Sequence, residues 1–118
     1  MKYVAMIAMA LSLTASARAQ TCGVMEFGGT GELITRNIVV SLTSLTTSEL
    51  EANGACDAVE QYRSSEFEDG CPGDEACLTG FAKERSLDRV VTGAVHYDGE
   101  EFSLRLRLYD VRRGRFTS

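Results

Sequence analysis

The sequence predicts an α/β domain with the element order β-α-β-α-β-β, closing on a C-terminal β-hairpin. Two observations carry this. Near the C-terminus, Phe102-Ser103-Leu104-Arg105-Leu106-Arg107-Leu108 alternates apolar and polar residues without a break, the period of a strand with one covered face. Upstream, Ile34, Ile38, Leu42 and Leu45 recur at the spacing of one helix face, and no turn residue interrupts them.

Val24-Met25-Glu26-Phe27 reads as a short strand, closed by the turn Gly28-Gly29-Thr30-Gly31. A helix follows from Glu32 to Asn53, with Val39 and Leu50 widening its apolar face. Glu32 suits the positive N-terminus of a helix, and Asn53-Gly54 tolerates the left-handed dihedrals of a C-terminus. The β-branched run Ile38-Val39-Val40 also fits a strand, so the uninterrupted span decides for helix. Ala55 to Gln61, with Cys56 and Val59, is the next strand, and Ser64 or Ser65 caps a short helical turn through Glu66 and Phe67. A second helix runs from Asp74 to Arg85, burying Ala76, Cys77, Leu78 and Phe81. Its acidic start and basic end match the helix dipole. Arg89 to Tyr97 is rich in Val and Thr, and Asp98-Gly99 is a two-residue turn into the alternating strand. That alternation assigns Phe102, Leu104, Leu106 and Leu108 to a core face, and Ser103, Arg105 and Arg107 to a wet one.

The first nineteen residues stand apart. Lys2, an apolar run from Val4 to Leu13 and the small-residue pattern Ala17-Arg18-Ala19 read as a secretory signal peptide. The run is about half the roughly 20 residues a membrane span needs, which argues against stable membrane insertion. Thr21 stands where a lipid-anchored Cys22 would need a smaller neighbour. Residues 20–118 then form a single exported domain, periplasmic or extracellular. Its ten basic and seventeen acidic side chains exclude a nucleic-acid binder. Four cysteines in about a hundred residues of an exported chain favour two disulfides, with three connectivities open.

Glu68 to Cys77, EDGCPGDEAC, is the richest chemical stretch. Cys71 and Cys77 are spaced too widely for a zinc knuckle, and the acidic pairs do not alternate as a calcium loop requires. A redox pair would need two residues between the thiols, whereas five separate them here. A Cys71–Cys77 bridge is the favoured reading, leaving Cys22 to pair with Cys56 or with another molecule. GGTGE lacks the Lys-Ser/Thr of a phosphate-binding loop and reads as a strand-to-helix turn. His96 faces opposite to Val95 in its strand.

"VMEFGGTGELI", "LTTSELEANG" and the stretch "GCPGDEACLTGFAKERSLDRVVTGAVHYDGEEFSLRLRLYDVRRGRF" resemble the TolB amino-terminal and CsgG-like family of bacterial envelope domains. The resemblance implies an α/β sandwich, an α+β arrangement in which helices pack on one face of a mixed sheet. It also implies envelope assembly or protein contact rather than catalysis. Such domains run on past the turn at Gly114 into a further strand and closing helix, whereas this chain ends at Ser118. That departure implies a trimmed domain or a partial chain, with sheet surface short of its usual cover.

Charge separates the chain further. Residues 20–101 hold five basic and sixteen acidic side chains, while residues 102–118 hold five and one. Arg105, Arg107, Arg112, Arg113 and Arg115 are therefore the candidate partner-binding residues, facing an acidic envelope protein or an anionic surface of the envelope. The expected function is a non-enzymatic interaction or structural domain with no cofactor and no metal. The alternatives are a small secreted hydrolase-like enzyme using His96 with Asp98 or Glu100, and a secreted effector-type protein.

Overall fold

The computed structural model describes residues 20–117. The expected signal peptide, residues 1–19, lies outside them. The elements are β1 (Thr21–Met25), β2 (Gly28–Thr30), α1 (Arg36–Ala52), β3 (Ala58–Tyr62), α2 (Glu75–Glu84), β4 (Arg89–Tyr97), β5 (Phe102–Asp110) and β6 (Arg115–Phe116), with 3-10 turns at Ser64–Glu66 and Cys71–Gly73. One mixed sheet runs in the order β3-β1-β4-β5-β6. β1 lies parallel to both β3 and β4, and β2 continues its line against β4 from Gly28↔Ala94 to Thr30↔His96. β4 and β5 form the expected antiparallel hairpin, in register from Arg89↔Asp110 to Tyr97↔Phe102.

The α/β sandwich on a mixed sheet agrees with the sequence reading; the placement of its helices does not. Val24, Phe27, Val91 and Val95 pack with Val39 of α1, whereas Met25, Tyr62, Val90 and Tyr109 pack with Leu78 and Phe81 of α2. Each helix therefore covers a different face of the sheet. The reason is in β1 and β4, which have strand neighbours on both sides and carry the consecutive apolar pairs Val24-Met25 and Val90-Val91. Side chains at adjacent strand positions point to opposite faces, so both faces need cover.

Local boundaries differ where capping chemistry competes with periodicity. α1 begins at Arg36 rather than Glu32, because Thr35 Oγ1 accepts the Ile38 N–H at 3.3 Å and caps the helix there. Gly54, at φ +71°, supplies the left-handed turn after it, while Asn53 stays right-handed. In α2 the Asp74 carboxylate accepts the Ala76 and Cys77 N–H groups, and Ala82, not Ala76, joins Leu78 and Phe81 in the core. The expected turn Gly28–Thr30 is strand β2. The hairpin loop is four residues, Asp98 to Glu101, instead of two.

The buried face of α1 takes in Thr43 and leaves out Leu45, which the sequence places on it. Leu45 is 61% exposed, while Thr43 is buried completely. Between β1 and β2 the strand breaks, and Thr43 Oγ1 accepts the Phe27 N–H at 3.0 Å while donating to the Val39 carbonyl at 2.7 Å. The Phe27 ring in turn fills the space above Gly93, where a Cβ would stand 2.7 Å from the ring.

Two disulfides complete the frame. Cys22–Cys56 joins β1 to the approach of β3 over a sequence separation of 34, and Cys71–Cys77 ties a 3-10 turn to α2 over a separation of 6. On the α2 face the Tyr109 hydroxyl donates to the Glu75 carbonyl at 3.0 Å and is bonded to Thr79. The Phe116 N–H reaches Glu75 Oε2 at 3.3 Å. These bonds fasten the base of β5 to the start of α2.

Thr43→Val keeps the shape and removes the acceptor, leaving the Phe27 N–H buried and unpaired. It is expected to cost about 1–3 kcal/mol in chemical denaturation. The control is Thr46→Val, whose hydroxyl only donates to the Leu42 carbonyl; that change is expected to stay within about 0.5 kcal/mol. Removing the Cys22–Cys56 bridge as the double alanine variant is expected to cost about 4 kcal/mol, against about 2 kcal/mol for Cys71–Cys77, because the longer loop constrains the unfolded chain more. Denaturation of the two double variants beside the oxidised parent checks the order.

Candidate functional site

The hairpin is anchored at one end and bare at the other. At its base Val90, Val91 and Tyr109 are buried, but every side chain from Phe102 to Arg107 is exposed. Phe102, Leu104 and Leu106 fall on the α1 face, in register with Tyr97, Val95 and Gly93, yet remain 57%, 44% and 45% exposed. The alternation thus gives the face correctly and the expected cover is missing, because α1 packs over β1, β2 and β3. Only Leu108 of the four is half-buried against the α1-side core.

Between α1 and this uncovered strand lies an apolar groove of about 550 Å³. Ile38, Leu42, Val95, Phe102 and Leu104 line it, with Asn37 and Ser41 on the helix rim. The Tyr97 and Phe102 rings meet at 4.6 Å between centroids near the hairpin tip.

The opposite face of the same strand carries Ser103, Arg105 and Arg107 beside exposed Ala94 and His96. The five arginines do not form one patch. The Arg107 guanidinium lies 3.7 Å over the Phe116 ring, and Arg113 pairs with Asp110 at 3.8 Å. Arg115 sits across from Asp110 in β6, on the face opposite to Phe116, and Arg112 lies in the exposed turn between. Among the described residues no ion pair engages Arg105, Arg112 or Arg115.

Among the described residues the edge of β5 away from β4 is open along its outer half as well. β6 pairs only with Tyr109 and Asp110, and the Thr117 N–H adds one bond to the Leu108 carbonyl at 2.8 Å. From Phe102 to Arg107 the backbone has β4 on one side and, among the described residues, no strand on the other. An edge of this kind can accept an added strand.

His96 is exposed, and its Nδ1 lies 2.6 Å from Thr30 Oγ1 across the β2–β4 pairing. Asp98, the carboxylate suggested as its helper, is committed to the turn: its Oδ1 accepts the Glu100 and Glu101 N–H groups, each at 2.9 Å. All four thiols are in disulfides. Among the described residues no group of three or more His, Cys, Asp or Glu converges as a metal site would require. Sequence reasoning missed the groove, because it depends on how far α1 reaches across the sheet.

The Glu101 N–H, and after it the Glu100 N–H, hold the Asp98 carboxyl below its ordinary value of 3.8. A carboxyl lowered by folding stabilises the folded form above the unfolded value, and that contribution disappears as pH falls through the folded one. Protection of the Glu100 and Glu101 amides, measured against their intrinsic exchange rates, is therefore expected to fall as pH drops below about 4, the ordinary carboxylate range. Asp98→Ala should remove the pH step, as followed by NMR.

No protein-family model and no curated protein matches this sequence. Solved structures do. The chain is similar to the LpoB C-terminal domain from Salmonella enterica, at 12% identity over 98% of this chain and 90% of that one, with a TM-score of 0.57. It is similar to LpoB from E. coli determined by NMR, at 13% identity over 92% and 60%, TM-score 0.58. It is also similar to PelC from Paraburkholderia phytofirmans, a single-substitution variant that forms a dodecamer, at 18% identity over 83% and 66%, TM-score 0.55. At such identities these likenesses establish a shared fold, and with it the mixed sheet that carries the exposed hairpin.

Proposed function

We propose that this chain is an exported, non-enzymatic interaction domain of the bacterial envelope that holds a protein partner along the outer half of β5. One observation carries the reading. Residues Phe102 to Arg107 present an apolar row on one face, arginines on the other and an unpaired backbone edge between them. A partner strand added there gains main-chain hydrogen bonds, and the alternating side chains supply selectivity.

Three further features support it. The leader-like pattern of residues 1–19 and the two disulfides fit an oxidising compartment outside the cytoplasm. No helix among the described residues is long and apolar enough to cross a membrane. The envelope assignment follows the resemblance to TolB and CsgG-like domains, together with the fold shared with LpoB C-terminal domains from Salmonella enterica and Escherichia coli. The positive charge of the strand selects for an acidic partner segment, and its exposed leucines for an apolar one.

The test is recovery from envelope extract with the oxidised domain, beside Arg105→Glu/Arg107→Glu. A photo-reactive residue at Ser103, on the exposed strand, maps the contact, and one at Glu84, exposed on α2, serves as control. The parent domain is expected to retain a protein set that the double variant loses, with crosslinks at Ser103 and not at Glu84. Identical recovery by both baits overturns the reading.

A further inference from the structure

Among the described residues the sheet has two edges with unpaired stretches, carried by segments of opposite charge. One is β3, which among the described residues pairs with β1 alone. Residues 53–69, which contain β3 and its flanking turns, hold five acidic side chains and one basic. The other is the free stretch of β5. Residues 102–117, which contain it, hold five basic side chains and one acidic. The two edges are similar in length, five residues in β3 against the six from Phe102 to Arg107 that are unpaired on this side among the described residues.

We infer that a second copy of this chain docks its β3 edge against the free edge of β5, so that the sheet continues from copy to copy. The inference rests on the reading of β5 as a contact surface and names one partner for it. Direction allows the contact. β3 is parallel to β1 and β4, while β5 is antiparallel to β4, so a copy set alongside in the same orientation offers β3 antiparallel to β5.

The faces match too. Glu60 is exposed on the α2 face, where its Oε2 accepts the Tyr62 hydroxyl at 2.6 Å, and Arg105 and Arg107 project on that face of β5. Val59 lies on the α1 face, as do the exposed Leu104 and Leu106. Continuing the sheet therefore brings carboxylate to guanidinium on one side and valine to leucine on the other. Pairing like edges does neither. Two β5 edges would oppose arginine to arginine, two β3 edges would oppose Glu60 to its copy, and like charges across a strand pair are destabilising. A contact between unlike edges leaves one edge free at each end, so it yields a ring or an open chain rather than a closed pair.

Sedimentation velocity of the purified, oxidised chain tests this with two exposed-site variants, Arg105→Glu and Glu60→Lys. The wild type is expected to gain mass with concentration at about 50 mM salt and to lose it at about 0.5 M, where screening is strong. Each variant alone should associate about tenfold more weakly, given the size of cross-strand charge pairs. An equimolar mixture of the two should recover the mass, because one contact then joins native Glu60 to native Arg105 and the other joins the two substituted side chains with their charges exchanged. Recovery also shows that both variants are folded. A wild type that stays monomeric throughout overturns the second copy as partner; crosslinks from Ser103 to other proteins would then leave the contact-surface reading standing, and their absence as well would remove both. Tighter association of Arg105→Glu with wild type than of either alone overturns the edge assignment in favour of paired β5 strands.

Discussion

A single hydroxyl fixes how the two halves of this sheet meet. The first strand breaks between Met25 and Gly28, and the Phe27 N–H left over at the break is taken up by the buried Thr43 Oγ1. Because the Thr43 hydroxyl donates in turn to the Val39 carbonyl one turn back, it is satisfied as both donor and acceptor by backbone groups. This sets α1 over β1, β2 and β3, with Phe27 beneath it and Gly93 clear of the ring. The same placement decides what α1 cannot reach. A helix held on one half of the sheet leaves the apolar row of β5 beyond its cover.

The second helix makes the contrast sharper. Tyr109 and Phe116 bond to Glu75 at the start of α2, and the Cys71–Cys77 bridge holds the turn that leads into it. At the other end of α2, Arg85 lies 3.8 Å over Phe81, whose ring meets Tyr62 edge-on at 5.0 Å. The base of the hairpin is thus clamped on the α2 face, while Ala94, His96 and residues 102–107 lie past both helices. A clamped base with a bare outer half suits the proposed contact surface, which then needs no rearrangement of the domain.

The sequence made the strand alternation, both helices and the hairpin legible, because each follows from a local period or cap. Coverage was not legible. Phe102, Leu104 and Leu106 carry the pattern of a buried row, and the pattern states only that they share a face. Whether anything lies on that face depends on the reach of α1, which is tertiary. Thr43 was hidden for the converse reason: a threonine inside a helix looks like a surface residue, and only the strand break at Phe27 explains its burial. The two-sided cover was within reach of the sequence, since Val24-Met25 and Val90-Val91 each place apolar side chains on both faces of a strand.

In the proposed function the arginines of β5 have two tasks that physical chemistry unites. A bare edge beside exposed leucines invites indiscriminate pairing, and cations on an edge strand suppress it by repelling a second edge of the same kind. The guanidiniums that repel a like edge attract an acidic one. Arg107, held over Phe116, keeps its charge fixed near the base, and Arg105, without an ion pair among the described residues, offers its charge toward the tip. In the proposed reading, the residues that protect this stretch of strand against most partners are the ones that select the right one.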